Sequence, residues 1–167
     1  MRYVLSLAVV AAALAAAQPA RAADSPLTII VATCAPVSSV FKNDLDNRGA
    51  MRHAGSALGT VRVNCPIEAT KVAGHSTHQI ALTYRDSDGL SDATAVKAAV
   101  IEVSLVDGTQ KIIATLDSSD RASTGITTGT KSFIYTFNQT FNYYYLEISA
   151  TRATSSQKAI AYVADIK

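Results

Sequence analysis

The sequence has no tryptophan, only two cysteines, and no run of basic residues anywhere in its 167 positions. Each absence removes a class of function. Without a basic stretch there is no electrostatic footprint for a nucleic acid or for an anionic membrane surface. There is no G-x-S-x-G turn of the kind that lifts a nucleophilic serine out of an α/β sheet. There is no C-x-x-C pair to act as a redox couple. Beyond the N-terminus, no stretch is apolar and long enough to span a bilayer. Without tryptophan, a surface for stacking sugar rings has to be built from tyrosine.

What is present starts with "MRYVLSLAVVAAALAAAQPARAAD". Arg2 supplies a positive start, Tyr3 to Ala17 is a run of apolar or small residues, and Ala20-Arg21-Ala22 is an A-x-A cleavage signal. Residues 1–22 therefore read as a secretory signal peptide, too short and wrongly flanked for a membrane anchor. Residues 23–167 then form one domain, long enough to bury about two-thirds of its unfolded surface. The 15 Lys and Arg exceed the 13 Asp and Glu by two. Both excess positives, Arg2 and Arg21, leave with the leader, so the remainder is neutral. The expected location is periplasmic or secreted, with no membrane insertion after cleavage.

In an exported chain, Cys34 and Cys65 read as one disulfide, with two unpaired buried thiols as the alternative. Cys65 lies in "GTVRVNCPIE", where Val61, Val63, Cys65 and Ile67 alternate with Arg62 and Asn64. That is a half-buried strand. Pro66 cannot donate a ladder hydrogen bond, so it marks the end of the pairing or an edge.

The same alternation recurs. "HQIALTYRD" places Ile80, Leu82 and Tyr84 on one face, and "KSFIYTFNQ" does so with Phe133, Tyr135 and Phe137. "NYYYLEISA" aligns Tyr144, Leu146, Ile148 and Ala150, and "KAIAYVADIK" aligns Ile160, Tyr162, Ala164 and Ile166. "LTIIVAT" is a β-branched run that opens a sheet. "AVIEVSLVDGTQKIIATLD" is a hairpin around Asp107-Gly108. Together these are about eight antiparallel strands, an all-β sandwich or jelly-roll-like fold. The last strand is expected as an edge or closing strand, with a lysine at each end. Pro36 to Leu58 and Ser118 to Ser132 read as polar surface connections.

The early "CAP" at 34–36, "VRVNCPI" at 61–67 and "YYY" at 143–145 resemble a layout shared by small secreted bacterial proteins of unassigned function. Those proteins have a strand ending V-x-C-P-[IL]. The resemblance implies a compact β-sandwich and brings no catalytic residues. Subunits of surface fimbriae are also similar in having a leader, comparable size and a bridge between early strands. Their usual ending carries a late glycine and a penultimate aromatic. Here the last glycine is Gly129 and the penultimate residue is Ile166.

Four groups of residues are candidates for chemistry. "DSDGLSD" sets Asp86, Asp88 and Asp92 at a spacing resembling part of a calcium loop, although the bidentate glutamate of such loops is missing. The competing reading is a solvated turn. In "HSTH", His75 and His78 converge on a metal only if the segment turns, and otherwise read as exposed loop histidines; His53 is remote in sequence. Glu102 and Glu147 are expected as neighbours on the outward faces of two strands, where glutamates are solubilising far more often than they are a glycosidase pair. Tyr143 and Tyr145 should point away from the core and offer a small amphipathic face to a glycan or a protein.

The reading that results is an exported, non-catalytic binding module without an assigned cofactor beyond that calcium loop. A fimbria-like assembly subunit is the alternative, and a hydrolase with an unrecognised site comes third.

Overall fold

The computed structural model describes residues 26–37, 49–72 and 74–167. Residues 1–25, which include the expected signal peptide, positions 38–48 of the polar connection and position 73 lie outside them. Among the described residues there are ten strands. In chain order they are β1 (Leu27–Ile30), β2 (Ala35–Pro36), β3 (Met51–Arg52), β4 (Gly59–Pro66), β5 (Thr77–Asp86), β6 (Thr94–Ser104), β7 (Gln110–Asp117), β8 (Ile126–Ile134), β9 (Asn142–Arg152) and β10 (Ala159–Ile166). A single helical turn, α1 (Ala69–Val72), precedes β5.

The strands form two antiparallel sheets. One runs β1-β10-β5-β8, with β3 also paired to β10; the other runs β2-β4-β9-β6-β7. This is the expected β-sandwich, with two strands more than the alternation showed. The additional ones, β2 and β3, are two residues long. That is too short to display a period.

The core is the sum of the inward rows. Val61, Val63 and Cys65 of β4, Ile80, Leu82 and Tyr84 of β5, and Leu146, Ile148 and Ala150 of β9 are all fully buried. Val96, Ala98 and Val100 of β6 continue the second sheet's inner face, with Ala114 and Leu116 of β7 beyond them. Burying each Val, Leu or Ile stabilises the fold by about 1.5–3 kcal/mol. A one-residue slip in any of these strands would expose the whole row, so the register is tightly specified.

Cys34 and Cys65 are bonded, with Cα atoms 4.7 Å apart. Cys34 follows the 3-10 turn Val31–Thr33 and precedes β2. The bridge therefore fastens the point where the chain leaves the first sheet and enters the second. Pro66 is the last residue of β4, paired with Tyr145, so the proline does sit where that ladder ends.

Four expectations are corrected. The last strand, β10, is not an edge: β1 and β3 flank one side of it and β5 the other. Its register also breaks at a bulge between Ala161 and Val163. Inward positions are therefore Ala159, Ala161, Ala164 and Ile166, while Ile160 and Tyr162 face outward. One extra residue reverses the face of everything before it.

The hydroxyl-rich stretch before Ser132 is largely β8, paired along its length with β5. It is an edge strand, and its threonines face solvent while keeping the β-branched shape a strand favours. Thr128 and Thr83 share a hydrogen bond across the pair at 2.9 Å. The connection up to Leu58 is not wholly at the surface either. Ala50 and Met51 are fully buried, and His53 is buried with its Nε2 2.9 Å from the Gly59 carbonyl.

Candidate functional site

Tyr143, Tyr144 and Tyr145 are consecutive on β9, so the sheet sends the first and third outward and the second into the core. Tyr144 is buried, and its hydroxyl donates to Glu102 at 3.0 Å. Tyr143 is 46% exposed. Tyr145 also points outward yet is only 7% exposed, because it lies between Pro66 of β4 and Ile101 of β6. The two outward rings stack at 6.1 Å between centroids, 28° from parallel.

Beside Tyr143 a groove of about 450 Å³ is lined by Ile67, Glu68, Leu105, Gln139 and Asn142. Leu105 and Phe141 stand exposed at this end of the sandwich, joined by a backbone hydrogen bond of 2.8 Å. A half-exposed aromatic ring next to a carboxylate and two amides can stack on an apolar ring face while exchanging hydrogen bonds at its edge.

The acidic loop is arranged differently. Asp86 is fully buried at the end of β5. The Ser118 hydroxyl donates to its Oδ2, and the Asp88 amide reaches Oδ1 at 3.3 Å. The Ser118 oxygen in turn accepts from the Val96 amide at 2.8 Å. Burial, with the neighbouring Asp88 carboxyl adding to it, raises the Asp86 pKa to about 6. Asp88 accepts from Gln157 Nε2 at 3.1 Å, and Asp92 is exposed. Among the described residues no group of three or more His, Cys, Asp or Glu is gathered as a metal would require.

His78 is not an exposed loop residue. It is 2% exposed, with Nε2 donating to the carbonyls of His75 and Tyr135 and its ring against Phe133 and Phe137. His75 remains exposed. Glu102 and Glu147 lie on opposite faces of the second sheet. Glu102 pairs with inward Tyr144 and accepts from the hydroxyls of Tyr135 and Tyr144, whereas Glu147 lies on the face of Tyr145. The two cannot act as facing carboxylates.

The sequence did not point to a third place, on the outer face of the first sheet. Arg52, Ile160 and Arg85 lie in one cross-strand row. Their chain neighbours Met51, Ala161 and Tyr84 are fully buried, so this row faces outward. A cavity of about 480 Å³ opens there, lined also by His53, Arg152, Gln157, Lys158 and the bulge residue Tyr162. Arg152, at the end of β9, is 8% exposed and donates to the carbonyls of Gly55 at 2.6 Å and Ala57 at 2.7 Å. Burial holds the His53 ring below its ordinary pKa, and the Arg152 charge adds to that; the bond to Gly59 opposes them. No Asp or Glu lines the cavity among the described residues. Three arginines scattered along the chain carry no motif. Only the register of three strands and the β10 bulge bring them together.

No family model matches the sequence, and no curated protein matches it. Solved structures do align. The CBM36-1 domain of a multidomain xylanase from the hindgut metagenome of Trinervitermes trinervoides is 12% identical, with 86% of this chain and 97% of that one covered and a TM-score of 0.47. The CBM22-1–GH10 modules of an endo-1,4-beta-D-xylanase from Clostridium thermocellum, complexed with xylohexaose, are 13% identical. There the TM-score is 0.50, and the alignment covers 83% of this chain but only 26% of that one. At such identities the likeness is one of fold: this chain is a β-sandwich similar to a part of that xylanase.

Proposed function

We propose that the protein is an exported, non-catalytic module that binds glycans through the groove beside Tyr143. The observation that carries this reading is the half-exposed Tyr143 ring set against Glu68, Gln139 and Asn142. A sugar presents an apolar face to an aromatic ring and a rim of hydroxyls to amides and carboxylates. Tyr145 lies underneath and holds the Tyr143 ring by stacking, so the platform is ordered before a ligand arrives. The sandwich fold, shared with part of a xylanase chain solved with xylohexaose, makes a neutral oligosaccharide the first ligand to try. Export is supported by the Cys34–Cys65 bridge, since disulfides persist in oxidising compartments.

The test is titration with xylohexaose, cellohexaose and a panel of other neutral glycans, followed by calorimetry and tyrosine fluorescence. The absence of tryptophan leaves the tyrosine signal undistorted. Saturable binding that Tyr143→Ala removes, with no new reducing ends after long incubation, supports the reading. Binding that survives Tyr143→Ala, no binding across the panel, or hydrolysis of the bound glycan each overturns it.

A further inference from the structure

The cavity on the opposite sheet gathers Arg85, Arg152 and Lys158 in its lining. Arg152 is nine-tenths buried, and its hydrogen bonds all go to backbone carbonyls of residues 55, 57 and 155. Carbonyl oxygens orient a guanidinium without cancelling its charge. Arg85, in the adjoining wall, has its Nε buried with no hydrogen-bond partner. Lys158, on the chain leading into β10, lines the same cavity. None of these three forms an ion pair with a described residue. Away from the leader the chain carries equal numbers of acidic and basic residues, so concentrating these cations in one recess is a local departure from an otherwise balanced surface.

Burying a charge without a counter-charge is costly, and cations placed together repel. An incoming oxyanion would relieve both terms. Arginine forks match the two oxygens of a carboxylate, which favours a planar anion over a point charge. The cavity is also much larger than an ion needs. At about 480 Å³, with Ile160 in its wall and the Tyr162 ring at the bulge, it has room and apolar surface for a ring-sized body.

We propose that this cavity binds an acidic sugar unit, with the carboxylate held by Arg85 and Lys158 against the buried Arg152 and the sugar ring resting on Tyr162. The site lies on the other sheet from the Tyr143 groove and does not depend on that groove binding anything.

The experiment is calorimetry and thermal melting of the full protein with digalacturonate, its neutral counterpart digalactose, inorganic phosphate and inorganic sulfate. At low ionic strength digalacturonate should bind and raise the melting temperature, digalactose should not, and affinity should fall as salt is added. Arg85→Gln should weaken digalacturonate roughly tenfold or more. Lys131→Gln, which removes the same charge from the exposed edge of β8, should leave binding unchanged. If Arg85→Gln fails to fold, Lys158→Gln serves as the site variant, with the same loss expected. Absence of digalacturonate binding, or binding equal in the site and Lys131 variants, would overturn the proposal. So would phosphate or sulfate binding without a response to digalacturonate, which would leave a simple anion site. Because the neutral panel reads the Tyr143 groove and digalacturonate reads this cavity, failure of one is visible separately from failure of the other.

Discussion

The hydroxyl of Ser118 donates to the carboxyl of Asp86, and this one hydrogen bond joins the end of β5 in the first sheet to the turn after β7 in the second. Ser118 also holds the Val96 amide, so the clamp spans three segments of chain. Burial favours the protonated carboxyl, the bonds from Ser118 and the Asp88 amide favour the ionised one, and burial outweighs them.

That gives a signed pH dependence. The Asp86 pKa is near 6 in the folded protein and near 3.8 in the unfolded chain. Between those values the folded state binds more protons. The contribution of Asp86 is therefore complete below pH 4 and is lost as pH rises through 6, with a slope of up to about 1.4 kcal/mol per pH unit. Asp86→Asn keeps the shape without the charge. Its stability relative to the native protein should rise from pH 4 to pH 7, measured by urea melts. A difference that stays flat over that range would show that Asp86 does not titrate there.

The same geometry bears on calcium. Both oxygens of Asp86 are engaged, by Ser118 and the Asp88 amide, and Asp88 Oδ2 is held by Gln157, which leaves Asp88 Oδ1 as a single unpartnered oxygen, far short of the roughly six to eight that calcium takes. Millimolar calcium should therefore leave the melting temperature unchanged. A rise that Asp86→Asn abolishes would place the ion in this loop.

The two outward tyrosines should separate cleanly. Tyr143→Ala removes a half-exposed ring and should cost under about 1 kcal/mol. Tyr145→Ala empties a covered position between Pro66 and Ile101 and should cost about 2–4 kcal/mol. Chemical denaturation of both variants checks this. Equal costs would mean that the covering of Tyr145 is not maintained in solution.

Replacing Cys34 and Cys65 together by Ser opens a loop with a sequence separation of 31. Loss of the cross-link should lower stability by roughly 3–4 kcal/mol. Reduction of the native protein should reproduce the change in a denaturant midpoint. An unaltered midpoint would show that pairing along β2 and β4 holds the crossing without the sulfurs.

The long strands were legible because their inward rows are uninterrupted. Val61-Val63-Cys65, Ile80-Leu82-Tyr84 and Tyr144-Leu146-Ile148 each keep period two from end to end. β10 was misread for a local reason: the bulge adds a residue, and no side chain near Tyr162 marks it. β8 was misread because an edge strand buries little, so Thr127, Thr128 and Thr130 look like a loop. The Tyr143 position followed from alternation. That Tyr145 is covered did not, because cover comes from neighbouring strands rather than from the strand itself. The arginine-lined recess depends on pairings between residues more than a hundred positions apart, such as Arg52 with Ile160, and single-strand patterns carry no trace of them.

The central place of β10 has a kinetic consequence. β1 and β5 have no bridge between them until residues 159–166 arrive, since Leu27 meets Ile166 and Ile80 meets the same residue from the other side. The first sheet therefore cannot be completed from its N-terminal end, although β5 and β8 can already pair. Any delay in delivering that segment leaves two unzipped edges waiting, and maturation should be slow and sensitive to crowding by sister chains.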